Sequence, residues 1–547
     1  YQLMAKGVDL NEMRSKYLWK MGSRMIVFAL GMMAIAIAVG YLASKVAAGV
    51  GRDLRTKVFN KVVNFSDAEI NKFSTASLIT RTTNDVQQVQ MVTVMLLRMV
   101  LYAPIMAVGG IIMVIRTGSG MGYIIAIAVA AIAVLMILLM VLAMPKFKIM
   151  QKLVDKVNLV SREILTGIPV IRAFSREKHE EKRFDDANKE LTGVMLYTNR
   201  VMTFMMPALM IIMNVMSILI VWISAHRIDD GVMEVGTMTA FITYTMMIVM
   251  AFLMLTMISI MLPRAGVAAD RIDEVLKTEV SVNNSTDAVD AGRSKGVVRF
   301  NHVSFAYPEA EGKVLDDIDF EASPGTTTAI IGSTGCGKST LVNLIPRFFD
   351  VTEGSITLDG RDIRNITLES LRENIGYVPQ KGILFSGTIA DNIKYGQQEE
   401  SDEDMLEAAE IAQATEFIEA KPDKYESQVA QGGNNVSGGQ KQRLSIARAI
   451  ARDPMIYIFD DSFSALDFKT DAALRKALAP KVKDKTVLIV AQRISTVMHA
   501  EQIIVLDDGK VAGIGTHKGL MENCEIYRQI AGSQLSESEL KKSLEVK

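Results

Sequence analysis

In the first half of the chain, apolar residues run without charge for lengths that ordinary soluble helices rarely reach. Residues 25–44 form an uncharged run of about 20 residues, long enough to cross a bilayer. Similar runs follow at 92–115, with Arg98 inside it, and at 121–145, 201–225 and 235–263. Five such runs in one half predict an α-helical transmembrane domain over residues 1–267. Two long connections, roughly 51–91 and 146–200, keep helical periodicity among mixed charges, as in Arg176-Glu177-Lys178-His179-Glu180-Glu181-Lys182-Arg183. They are expected to be helices extending well beyond the membrane. Ile171, Phe174 and Phe184 mark a face that docks on another surface.

The pattern then changes. Residues 268–295, rich in Asn, Ser, Asp and Gly, read as a linker. From 296 to 535, short β-rich runs alternate with turns and helices, which is an α/β arrangement. Strands are expected at Val297–Phe300, Thr327–Ile331, Ile375–Val378, Met455–Phe459, Thr486–Val490 and Gln502–Val505. A tail covers 536–547.

Composition agrees with this division. The chain has 547 residues, too many for one ordinary domain, and combines 49% hydrophobic with 22% charged residues. A mean hydropathy of +0.23 suits long apolar runs joined to a polar domain. The net charge of −1 gives no sign of a nucleic-acid partner. Two cysteines, Cys336 and Cys524, form no disulfide framework. The 35 methionines sit mainly in the apolar runs, where they suit flexible packing or an adaptable apolar cavity.

Loop charge orients the spans. Arg52, Arg55, Lys57 and Lys61 follow the first run, Lys146, Lys148, Lys152 and Lys156 the third, and Arg264 the fifth. The connections Arg116–Gly120 and His226–Glu234 are short and carry few positive charges. By the positive-inside rule the long connections are cytoplasmic. Five spans would then leave Tyr1 outside, although no signal peptide precedes Met25. The simplest account is a further span before this sequence, giving six.

Candidate chemistry centres on Gly332-Ser333-Thr334-Gly335-Cys336-Gly337-Lys338-Ser339-Thr340, which matches the phosphate-binding pattern G-x-x-x-x-G-K-[ST]. A strand before it and a helix from about Ser339 to Leu344 supply the context this motif needs. Its backbone N–H groups would cradle the phosphates of ATP, Lys338 would reach the terminal ones, and Ser339 would ligate Mg²⁺. Tyr307 could stack on adenine. Gln380 could ligate Mg²⁺ or position water. Val436-Ser437-Gly438-Gly439-Gln440 precedes a helix expected near Lys441 and suits a second phosphate grip. Asp460 ends a buried strand, where its carboxylate suits Mg²⁺.

This order of motifs resembles the ATP-binding-cassette (ABC) family, specifically an exporter half-transporter, over the whole chain. Gly332–Thr340 looks like Walker A, Ile456–Asp460 like Walker B, Tyr307 like the A-loop and Gln380 like the Q-loop. Val436–Gln440 looks like the signature, with Val for the usual Leu, and Ser464–Asp467 like the D-loop. The resemblance implies two nucleotide domains that sandwich two ATPs, each between one chain's Walker A and the other's signature. Closure of the sandwich would move the spans through helix tips near Asp67–Phe73 and Phe174–Glu180.

Two positions depart from the family pattern. Asp461 stands where the family usually has the Glu that activates water, one methylene short. Gln492, in Ala491-Gln492-Arg493, stands where the switch His is usual, and Gln cannot become cationic near neutral pH. The segment Ser427–Asn434 also lacks the Glu that often touches the helix tips. The chain is therefore expected to bind ATP at its own site and hydrolyse it poorly. Its signature would complete the hydrolytic site of a second half-transporter, as in heterodimeric bacterial multidrug exporters. The expected setting is the bacterial plasma membrane, with the nucleotide domain cytoplasmic and a lipophilic small molecule as substrate. Alternatives are a homodimeric exporter of lipid or peptide, or an ATP-gated sensor that transports nothing.

Overall fold

The computed structural model describes residues 10–117, 120–308, 310–397 and 401–545. It divides into two compact units: residues up to Val58 with Thr80–Leu276, and Phe59–Ile79 with Lys277 onward.

The first unit is helical. It holds most of α1 (Leu10–Val63), whose end leads to a short helix α2 (Asp67–Phe73) in the other unit. Next, α3 (Thr75–Thr80), which belongs to the other unit up to Ile79, α4 (Val86–Met95) and α5 (Tyr102–Arg116) join through π-helical turns at Arg81–Asp85 and Leu96–Val100. Then come α6 (Gly122–Ala173), α7 (Glu177–Asp229) and α8 (Val235–Lys277). Among the described residues, five rods are long and apolar enough to cross a membrane: α1, α3 to α5 together, α6, α7 and α8. The helices pass through Pro145, Pro169, Pro207 and Pro263 without ending.

Small residues let two of these helices approach. Ala103, Ala107, Gly110 and Val114 lie on one buried face of α5, and a Cβ at Gly110 would sit 2.6 Å from Ile248 of α8. The first π turn carries an ionic seam. Arg81 donates to the carbonyl of Arg271 and the carboxylate of Glu274, both at 2.7 Å, while Arg271 stands 3.5 Å from Asp85. Arg98 lies in the second π turn. Beyond the apolar stretches, α6 and α7 run on as a charged pair joined by Lys156–Glu190 and Arg183–Glu163. Near their tips, Ile171 and Phe184 line an apolar cavity of about 460 Å³ rimmed by Glu177, Glu180 and Glu181, and Phe174 is exposed.

The second unit is α/β. Its elements follow in chain order: β1 (Val298–Phe305), β2 (Leu315–Ala322), β3 (Thr327–Gly332), α9 (Lys338–Asn343), β4 (Glu353–Leu358) and β5 (Arg361–Asp362). Then come α10 (Leu368–Glu373), β6 (Ile375–Val378), β7 (Gly387–Thr388), α11 (Ile389–Lys394), α12 (Asp402–Ile411), α13 (Thr415–Glu419) and β8 (Gln428–Val429). The last part holds α14 (Gly438–Ala451), β9 (Ile456–Asp460), α15 (Phe468–Lys481), β10 (Thr486–Val490), α16 (Ile494–Val497), β11 (Gln502–Asp507), β12 (Lys510–Gly515), α17 (His517–Asn523), α18 (Glu525–Gln534) and α19 (Glu537–Glu545).

The central sheet has the order β12-β11-β3-β10-β9-β6 and is parallel except for the β11–β12 pair. An antiparallel sheet, β2-β1-β4-β5, lies beside it. Both faces of the central strands are buried, and period-2 alternation splits their side chains between two cores. Tyr457 and Phe459 face the core that holds α14, whereas Ile456 and Ile458 face the core shared with the antiparallel sheet. The same split sends Val487 and Ile489 one way and Leu488 and Val490 the other.

The segment expected to be a linker begins inside α8, which ends at Lys277. Its later part is tied to the α/β unit, with Ala291 N–H donating to Ser370 and Ser294 N–H to Asn374, both at 2.8 Å. Helix α2 also belongs to this unit. Glu69 accepts from Ser66 N–H at 2.8 Å, from the Ser66 hydroxyl at 2.6 Å and from Ser281 N–H at 3.1 Å. Burial pushes the Glu69 carboxyl up, but these hydrogen bonds outweigh it and hold it below the usual value. Ala68 packs against the core behind the antiparallel sheet.

Candidate functional site

Sequence decides the shape of the phosphate loop through its glycines. Strand β3 delivers the chain at Gly332, where a Cβ would meet the carbonyl oxygen of Leu506 at 2.2 Å. Gly337 has φ +95° and would press a Cβ against Leu315 at 2.8 Å, so only glycine fits the start of α9. Within this loop Lys338 curls back: Nζ donates to the carbonyls of Gly332 at 3.0 Å and Ser333 at 2.6 Å, and lies 3.7 Å from Sγ of Cys336. Thr340 bonds the Tyr307 hydroxyl at 2.9 Å, and the Tyr307 ring packs edge-on against Phe305 and Phe349.

Parallel pairing of β3, β10 and β9 ends three strands together and gathers distant residues there. Ser339 Oγ donates to Asp460 Oδ1 at 2.9 Å. This hydroxyl and carboxylate are hard oxygen donors of the kind Mg²⁺ takes, so the residues present fit that ion. Asp461 N–H bonds the Val490 carbonyl, and Ala491 N–H bonds that of Ile330, both at 3.0 Å. Asp461 adopts φ +48°, a left-handed conformation that Asp tolerates. Its Oδ2 accepts from Gln492 Nε2 at 2.8 Å and from Gln380 Nε2 at 3.4 Å. Burial raises both aspartates. Asp461 also raises Asp460, while hydrogen bonds to Asp461 oppose its own rise.

The second glycine motif forms separately. Its helix starts at Gly438, three residues before the sequence reading placed it, because Ser437 caps it. Ser437 Oγ accepts from Gln440 N–H at 3.3 Å, and Gln440 Oε1 accepts from Ser437 N–H at 3.0 Å, a reciprocal capping box. Val436 is buried in the core behind it. A Cβ at Gly438 would meet nothing within 4 Å, while one at Gly439 would lie 3.3 Å from the Ala465 carbonyl. Among the described residues, no hydrogen bond joins Val436–Gln440 to the phosphate loop. Ser464 Oγ donates to the Asp461 carbonyl at 2.8 Å, and Asp467 caps α15.

One residue at this site has no counterpart in the sequence reading. Gln534, the last residue of α18, hydrogen-bonds the backbone on both sides of Arg493. No motif spacing points to it.

Comparison with known proteins follows the same division. The family described as ABC transporter transmembrane region matches residues 2–252, and that described as ABC transporter matches residues 315–464. An uncharacterized ABC transporter ATP-binding protein of Mycobacterium tuberculosis is 44% identical over 508 residues, covering 91% of this chain and 86% of that protein. The putative multidrug export ATP-binding/permease protein YgaD of Bacillus subtilis is 36% identical over 370 residues, 67% of this chain and 63% of that one. Among solved structures, a bacterial Atm1-family ABC exporter with ATP bound superposes with a TM-score of 0.78 at 25% identity, over 98% of this chain and 94% of the other.

Proposed function

The chain belongs to the ABC transporter family as an exporter half-transporter, and we propose that it is the subunit of a two-chain exporter whose own ATP site binds nucleotide but turns it over slowly. The observation that carries this reading is the pairing of Asp461 with Gln492. A general base for water needs reach and a free lone pair. The Asp461 carboxylate is short for that task, and a neutral amide at 2.8 Å already occupies one of its oxygens. Gln492 can donate to a phosphate oxygen but adds no positive charge there.

ATP would be held by residues that keep the family pattern. Gly332, Ser333, Thr334, Gly335, Cys336 and Gly337 would line its phosphates, Lys338 and Thr340 would hold them, and Tyr307 would pack on the base. Ser339, Asp460 and Gln380 would hold Mg²⁺, which offsets phosphate charge when bound. The partner's site would be completed by Ser437, Gly438, Gly439 and Gln440. That assignment suits the open space at Gly438 and the absence of bonds from this motif to the chain's own phosphate loop.

Movement would pass through α2, which is packed into the nucleotide-binding unit through Ala68 and Glu69. The positive-inside pattern supports a cytoplasmic nucleotide domain in a plasma membrane. The Met-rich spans, and relatives named as putative multidrug exporters, support lipophilic or amphipathic cargo. At ~1.5 Å per residue, Arg98 lies about 27 Å from Arg116. That is the inner edge of a hydrocarbon core about 30 Å thick, where a charge can reach headgroups or a wet cavity.

The test is nucleotide trapping. The chain is purified with and without a co-expressed second half-transporter, loaded with labelled Mg-ATP, and each site's nucleotide identified. Intact ATP on this chain and ADP on its partner are expected, with turnover only in the pair. Equal hydrolysis at both sites would refute the asymmetry.

A further inference from the structure

The switch segment around Gln492 is held from outside the nucleotide site. Gln534 Oε1 accepts from Ile494 N–H at 2.8 Å, and Gln534 Nε2 donates to the Gln492 carbonyl at 2.8 Å. A single planar amide therefore spans Arg493 and fixes the backbone on both sides of it. The side chain of Gln492 then reaches Asp461 at 2.8 Å. Behind Gln534, helix α18 is anchored by Tyr527 and Ala531, both buried. The Tyr527 hydroxyl bonds His517 Nδ1 at 2.7 Å, and His517 Nε2 bonds Ser543 Oγ of α19 at 3.0 Å. An unbroken series of contacts thus runs from the C-terminal helices to the carboxylate beside the Walker B strand.

We infer that Gln534 is a positioning residue: it presets the switch segment so that Gln492 is held in register with the site, and the C-terminal helices thereby govern how long ATP stays bound. This rests on the reading of Gln492 and Asp461 as parts of an ATP site. The physical basis is preorganisation. Without Gln534 the exposed turn at Arg493 would keep the Thr496 N–H bond to the Arg493 carbonyl at 3.1 Å, but the Gln492 carbonyl and the Ile494 N–H would lose the amide that fixes them. Two hydrogen bonds from one amide, mounted on a helix packed in the core, set that backbone before nucleotide arrives. Gln534 is itself exposed at a helix end, so truncating it opens no cavity.

The test uses the full two-chain complex in lipid nanodiscs, with Mg-[α-³²P]ATP as the probe. Two readouts are taken: hydrogen exchange over residues 492–497 without nucleotide, and the rate at which pre-bound ATP leaves this chain. Gln534→Ala is expected to raise exchange at the Ile494 amide about fivefold, the worth of one ordinary hydrogen bond, and to speed ATP release about five- to tenfold. Equilibrium ATP affinity should weaken by a similar factor, because Kd is the ratio of release to association and association is not altered. Gln534→Glu keeps an acceptor for Ile494 N–H but has no donor for the Gln492 carbonyl. It should preserve the exchange protection and restore release only in part. Faster exchange with unchanged release would make Gln534 merely structural and overturn the inference, as would unchanged exchange. Lys338→Ala separates the premise. If that variant retains ATP as well as the parent, the retained nucleotide is not at this site and the ATP-site reading fails. If retention depends on Lys338 but ignores Gln534→Ala, only the positioning role fails.

Discussion

Gly438→Asp tests the proposed division of labour most directly, because a Cβ at Gly438 would meet nothing of this chain within 4 Å. Gly438 is the first residue of α14, follows the Ser437 cap and has open space where a Cβ would go. A carboxylate at the first turn of a helix favours the helix by about 0.3–1 kcal/mol, so folding should be unharmed. In the complex the same carboxylate would face the partner's γ-phosphate. Two like charges about 4 Å apart repel by about 4 kcal/mol at the effective dielectric of a protein surface, or ~10³-fold in rate. Steady-state ATPase activity of the purified pair should therefore fall at least ~100-fold. The melting temperature, the assembly on gel filtration and ATP binding at this chain's own loop should all be kept. On the slow-site proposal, Asp461→Asn should reduce turnover of the pair by less than about threefold. If Asp461→Asn stops turnover as completely as Gly438→Asp, this chain's site is catalytic and the slow-site proposal is wrong. If Gly438→Asp is silent, the signature does not face a phosphate.

Further outcomes follow from the same geometry. Asp461→Glu with Gln492→His restores reach and a titratable switch residue, and should raise ATP hydrolysis at this chain about tenfold or more in single-turnover measurements; no rise would show that other residues set the slow rate. Burial raises Asp460, and its neighbour Asp461 adds to the rise, so this pair stabilises the nucleotide-free domain below the ordinary carboxylate value and loses that contribution as pH climbs through the raised values. Asp460→Asn should accordingly raise the neutral-pH melting temperature without nucleotide by about 2–4 °C, the shift ~1 kcal/mol gives in a domain of this size, while abolishing Mg-dependent ATP binding. Glu69 is held below its usual value, so its contribution is present above that value and is lost only as pH falls through the lowered one. Glu69→Ala frees the Ser281 N–H that ties α2 to the nucleotide-binding unit; basal ATPase should stay within about twofold while substrate stimulation is lost, and unchanged stimulation would remove α2 from the transmission path.

Where the sequence was legible, the deciding interactions were local. Apolar runs long enough to cross a bilayer need no knowledge of their neighbours, and each of the five overlaps a membrane-length helix, the third starting one residue later than expected, at Gly122. Thr486–Val490 was readable residue for residue because both faces of a central parallel strand are buried, and Ile375–Val378, at the sheet edge beside β9, because it too is mostly apolar and buried. Strand β2 was not legible. Its Asp316, Asp317 and Asp319 look like a turn, and only pairing with β1 and burial of Leu315, Ile318 and Phe320 make it a strand. Prolines 145 and 263 read as ends of spans, yet both lie inside helices that continue for more than ten residues beyond them.

For the site, the sequence by itself determined which groups are present: a phosphate-loop pattern with its glycines, a strand-end carboxylate at Asp460, a second glycine motif at Val436–Gln440, and Asp461 and Gln492. Tertiary structure decided what those residues do to one another. Ser339 and Asp460 are 121 positions apart and meet at 2.9 Å only because β3, β10 and β9 pair in parallel and end together. The grip of Gln492 on Asp461, and that of Gln534 on the switch backbone 42 residues upstream, arise in the same way. A hydrogen bond depends on where two atoms lie in space. Sequence fixes the kinds of atoms available, and chain pairing and packing fix their separation.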